Sequence, residues 1–139
     1  MKNIYPTKEK ILGKDPKIKK ETINTILIWK SFFIKNWKNK PKEIKFTRLK
    51  ILIHIITFFN YNKKVNVKKG EKDCYSPKTN TIYLNKENPS ILSALHETAH
   101  ALHGESELTA CRWSIYLFRT CFPGLFSKLK WKGHLLIKQ

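Results

Sequence analysis

The segment "NPSILSALHETAHALHG" (residues 88–104) constrains this chain more than any other, because it carries start and stop signals for a single helix. Asn88 stands where an N-cap is expected, Pro89 at the first helical position, and Gly104 just past the end. Within that span His96 and His100 are four residues apart, so a helix sets them on one face, one turn apart. Two imidazoles held that way can aim ring nitrogens at a single ion, at Zn–N distances of ~2.0 to 2.1 Å. Glu97, beside the first histidine, is set to reach a water next to the ion rather than the ion itself. "HETAH" is therefore the HExxH pattern, in which zinc acidifies a water and the glutamate accepts its proton.

A hydrolytic zinc site takes three protein ligands and keeps a fourth position for water. His103, Glu105 and Glu107 are the candidates for the third. His103 shares the face of the first pair, but it lies ~10.5 Å beyond His96 along the helix axis. A straight helix does not gather three such imidazoles on one small ion, so His103 is expected to cap the site or face solvent. Gly104 lets the chain turn back, and a carboxylate from the following segment can then approach from another side. A fourth side chain, such as Glu105 or Cys74, would instead close the site and make it structural.

The flanking sequence predicts an α+β domain. "ETINTILIWKSFFIKNWKNK" places Ile23, Ile26, Leu27, Lys30, Ile34 and Trp37 at helical spacing, so a helix is expected to about Trp37. Pro41 opens a second apolar segment whose length favours a buried helix and whose β-branched content also allows a strand. His54, inside its apolar run, reads as a core histidine. From Val65, "VNVKK" and "DCYSPKTNTIYLN" alternate apolar and polar residues around Gly70 and the turn cluster 77–80, which predicts short strands and a hairpin. A further helix is expected from about Glu105 to Cys121, stopped by Pro123 and Gly124. The chain divides into a basic N-terminal arm, residues 1–20, and one domain, residues 21–139.

The formal charge of +18 invites a polyanion partner. Arginine, the better residue for bidentate phosphate and base contacts, occurs only at positions 48, 112 and 119. Lysine, isoleucine and asparagine dominate instead, as an AT-rich coding sequence would produce. Cys74, Cys111 and Cys121 are odd in number and form no CxxC pair, which fits reduced thiols, with Cys111 and Cys121 in the core. The longest apolar run, Ile51 to Phe59, is about half the ~20 residues a bilayer span requires, and "MKNIYPTKEK" lacks the apolar segment of a secretory signal. A cytoplasmic, membrane-free protein is the expectation.

"TIYLN…LHETAHALHGESELTACRWS" resembles the zincin metallopeptidases, particularly the gluzincin-type domains of the ImmA/IrrE group. The resemblance covers roughly residues 73–122, with a shorter interval between the second histidine and the glutamate than that group has. It implies a small zincin-like domain, with a short antiparallel sheet, an HExxH helix and flanking helices. It also implies that "TIYLN" is the sheet edge holding an extended protein or peptide substrate. His96 and His100 match the zinc histidines, Glu97 the general base and Glu107 the glutamate ligand. Glu107 also has the room to turn that Glu105, immediately after Gly104, lacks. Tyr83, Tyr116, Arg112 and His134 are candidates for stabilising an oxyanion. The alternative is a non-catalytic zinc-binding protein or a basic regulatory protein associated with nucleic acid.

Overall fold

The structure, a computed structural model, describes residues 6–132 and 135–138. Thr7 caps the short helix α1 (Lys8–Leu12) by accepting from the Lys10 amide at 3.2 Å. Helix α2 (Lys20–Ile34) follows the predicted apolar spacing and stops short of Trp37. Asn36 takes a left-handed conformation there (φ 52°), and the chain passes into a 3-10 turn, Trp37–Asn39.

The second apolar segment is helical. It forms α3 (Lys42–His54) and runs on into a π-helical turn, Ile55–Asn60. Leu52, Ile53, Ile55 and Ile56 are buried along it, and the Thr57 hydroxyl donates to the Ile53 carbonyl at 2.9 Å. His54 corrects the core-histidine reading. It is exposed between buried neighbours and lines an open cavity of about 520 Å³ with Lys50, Ile51, Phe58 and Lys63.

The hairpin is present as β2 (Cys74–Ser76) and β3 (Thr81–Asn85), joined by the predicted turn with Asn80 at φ 49°. The sheet is mixed rather than antiparallel, because β1 (Asn66–Gly70) lies parallel to β3 along its whole length. The strand order is β1-β3-β2, so "TIYLN" is the central strand and not an edge. β1 and β2 leave a slot between them, and β3 fills it with Thr81, Ile82 and Leu84 buried. The edge beside the next helix is β2.

Helix α4 (Ile91–His103) starts two residues later than the Asn88 cap predicts. Asn85 explains the delay: its side-chain oxygen accepts from the Glu87 and Asn88 amides at 2.9 and 3.1 Å, drawing that stretch into a turn. Ser90 then caps α4, accepting from the Ser93 amide at 3.3 Å. The predicted stop is present: Gly104 adopts φ 97°, a conformation natural to glycine, and its amide donates to the His100 carbonyl. Ser106, not Glu105, begins the next helix, α5 (Glu107–Cys121), by accepting from the Thr109 amide at 3.1 Å.

The α4–α5 hairpin packs through Ala94, Leu95, Ala99 and Ala101 on one side and Ala110, Trp113 and Leu117 on the other. Small side chains on both helices permit a close approach. The same core includes Ile26 and Phe33 of α2, Leu49 and Leu52 of α3, and Ile82 and Leu84 of β3. Beyond α5 come a single-turn helix, α6 (Pro123–Phe126), and a hairpin of β4 (Leu129–Lys132) and β5 (Leu135–Lys138). The domain is a small α+β assembly, and among its described residues no helix is long and apolar enough to cross a membrane.

Candidate metal centre

His96 and His100 face α5 from adjacent turns of α4, with ring centroids 4.9 Å apart. Glu107, in the first turn of α5, presents one carboxylate oxygen to each. Its Oε1 lies 2.8 Å from His100 Nε2, and its Oε2 lies 3.3 Å from His96 Nε2. The other ring nitrogen of His100, Nδ1, is 2.8 Å from the Gly104 carbonyl oxygen. A carbonyl can only accept, so Nδ1 carries the proton and Nε2 is left to act as an acceptor or a ligand. An acceptor Nε2 set 2.8 Å from a carboxylate oxygen calls for a positive centre between them, either a proton or a cation. The Gly104 turn therefore both ends the helix and orients a histidine, the outer support usual for metal-binding imidazoles.

Glu97 is 7% exposed as a residue; among the described residues nothing hydrogen-bonds or ion-pairs with its carboxylate, whose oxygens are not among the side-chain atoms sealed from solvent without a partner. Burial pushes its pKa up to about 7; Asp73 and Glu107 push the same way and His100 opposes them. For His96 the loss of solvent dominates and lowers the pKa, with the attraction of Glu107 acting against it. A neutral imidazole is the form that binds metal. Asp73, from the turn between β1 and β2, is held by the Asn85 amide at 2.8 Å and adds its charge to this neighbourhood. Asp73, Glu97 and Glu107 thus converge in a chain with only ten carboxylates and a charge of +18. A buried acid without a partner is costly unless protonated or matched by a cation.

The donor chemistry suits a divalent ion. Two imidazoles and one carboxylate are a frequent catalytic zinc set. The group whose ligand atoms all lie within 4.8 Å of one another among the described residues is a different one, His96, Glu107 and Cys111; His100 is outside it and joins through Glu107 Oε1 at 2.8 Å. Cys111, one turn beyond Glu107, was expected only as a core residue. It is buried, and the loss of solvent, reinforced by Glu107 and Glu97, pushes its thiol up to about 12. The signal for it was present: Glu107 and Cys111 repeat on α5 the four-residue spacing of His96 and His100 on α4. Asp73 had no such signal, since only the path of the sheet brings it near.

The other candidates are placed elsewhere. His103 faces solvent, its ring 5.7 Å from those of Tyr61 and Trp113. Glu105 is exposed. Arg112 is engaged in structure, since its Nε and Nη2 donate to the Lys10 carbonyl at 3.0 and 2.7 Å and tie α1 to α5. Tyr116 lies on that same α1-facing side, beneath the Arg119 guanidinium. Tyr83 pairs across from Cys74 in the sheet, and the Cys74 thiol is close enough to Glu97 for that charge, after burial, to raise its pKa. His134 lies outside the described residues. The 520 Å³ cavity beside His54 shares no residue with the cluster.

Comparison with protein-family models, curated proteins and solved structures finds no match to this chain.

Proposed function

We propose that this chain is a small zinc-dependent peptide hydrolase of zincin-like type. The observation that carries the reading is the Glu107 carboxylate spread across the Nε2 atoms of His96 and His100, with the largely buried Glu97 beside them on α4. His96, His100 and Glu107 would hold the ion, and a zinc ion there would supply Lewis acidity toward water and the scissile carbonyl.

The remaining work falls to the chain's own groups. Glu97 takes the proton of the attacking water and returns it to the amine as the peptide C–N bond breaks, so one water is consumed for each acid and amine produced. A carboxylate with a pKa near 7 is matched to both transfers at neutral pH. The Gly104 carbonyl keeps His100 in one tautomer and orientation. β2 is the sheet edge beside α4, and an extended peptide adding a strand there would pass close to Glu97 through Cys74.

The test is Glu97→Gln, assayed on an unstructured protein substrate with zinc content measured in parallel. Hydrolysis should fall by about 10²- to 10⁴-fold while bound zinc stays at the wild-type level. Loss of zinc would make Glu97 a ligand, and full retained activity would remove the general base; either result defeats the mechanism.

A further inference from the structure

We infer that Cys111 is a further ligand of this metal centre, one whose sulfur would occupy the position otherwise left to water. The inference rests on the metal-centre reading above and adds a ligand to it. Its basis is the register of the α4–α5 hairpin. The packing that sets His100 against Glu107 at 2.8 Å carries the chain one turn back along α4 to His96 and one turn on along α5 to Cys111. His96, Glu107 and Cys111 consequently offer donor atoms within 4.8 Å of one another, and His100 reaches the same carboxylate from the other side.

Two further observations make Cys111 more than a core thiol. It is packed with Ile11 and Ile115, and α1 is held over this part of α5 by Arg112. The sulfur is thus fixed against the cluster rather than free to swing into solvent. Glu97, 7% exposed as a residue and without a hydrogen bond or ion pair among the described residues, adds a carboxylate to the same neighbourhood. Three of these side chains already converge, and His100, drawn in through the Glu107 carboxylate, would complete a tetrahedron. With a metal bound, the thiol would give its proton to solvent and its sulfur would hold the position that a reacting water requires.

Cobalt(II) alone is the probe, added to the purified metal-free full chain. A thiolate ligand gives an intense sulfur-to-cobalt charge-transfer band in the near ultraviolet, which imidazole and carboxylate ligands do not. Wild type and Cys74→Ser should both show the band. Cys111→Ser should lose it while keeping the weaker visible bands of bound cobalt. A band that survives in Cys111→Ser and vanishes in Cys74→Ser would transfer the role to the edge-strand thiol and overturn the inference. Visible bands without charge transfer in wild type would overturn it too, yet leave the His–His–Glu centre standing. Absence of any cobalt spectrum would sink both.

If the sulfur closes the site, zinc-loaded Cys111→Ser should hydrolyse peptide faster than wild type, and a slower rate would refute closure.

Discussion

Glu97→Gln should stabilise the metal-free protein, and by an amount that grows with pH. In the unfolded chain Glu97 ionises near 4.5, and in the folded chain burial moves it to about 7. Below 4.5 both states are protonated and the residue contributes no difference. Between 4.5 and 7 the unfolded chain sheds its proton while the folded chain keeps it, so wild-type stability falls as pH rises. Above 7 both are ionised and the full penalty remains. At about 1.36 kcal/mol per pH unit, the gap corresponds to roughly 3 kcal/mol. Glutamine cannot ionise, so the variant escapes this loss.

Stated as a melting temperature, each kcal/mol is worth roughly 3 to 5 °C in a domain of this size, so the advantage at pH 8 should approach roughly 10 °C. At pH 4.5 it should be near zero, since an amide replaces a protonated acid of similar shape. Urea or thermal unfolding in the presence of a chelator, wild type against variant at both pH values, reads Glu97 together with the groups its charge acts on, His100, Asp73 and Glu107. Zinc should shrink the advantage by favouring the ionised carboxylate. An advantage of equal size at both pH values would show that ionisation is not its source. A variant less stable at both would mean that the carboxylate makes a bond absent from the folded structure described here.

Glu107→Ala should weaken zinc binding tenfold or more, about 1.4 kcal/mol, while Glu105→Ala should stay near wild type in isothermal titration, because only Glu107 touches the two histidines. The opposite ranking would move the ligand to Glu105. Gly104→Ala should cost about 1 kcal/mol or more in urea unfolding. The new methyl meets nothing within 4 Å, so the whole cost comes from a φ of 97°. Gly124→Ala, with equally open space and no positive φ, is the control and should be close to neutral. If the +18 charge serves a polyanion, affinity for a DNA duplex should fall steeply with salt, each phosphate contact adding ~0.9 to the log–log slope. A flat response would leave coding bias as the source of the lysines.

What was legible in the sequence was local. His96 and His100 share a face because a helix repeats every 3.6 residues, and Gly104 ends that helix because few other residues accept its φ. The β2–β3 hairpin was likewise visible from alternation around a turn cluster. The sequence misleads where an element's place depends on a partner distant along the chain. No local pattern shows that β1 will pair with β3 from the far side, so "TIYLN" read as an edge when it is the centre. No local pattern shows that Arg112 will be consumed by the Lys10 carbonyl, or that His54 will point outward from an apolar run.

Cys111 belongs to a third kind, in which a local signal is present but outweighed. Its neighbours are apolar and its side chain is buried, so composition assigns it to the core. Its spacing from Glu107 says something else, and only when set beside the spacing of His96 from His100. Two helices joined by a turn too short to permit sliding must oppose their residues in one register. A donor pair four residues apart on each is then brought face to face: here His96, Glu107 and Cys111 gather within 4.8 Å of one another, and His100 meets Glu107 at 2.8 Å. The burial that made Cys111 look inert is also what fixes its sulfur against the other donors. In a hairpin of this kind, paired four-residue spacings on both helices carry more information about a metal centre than either helix read alone.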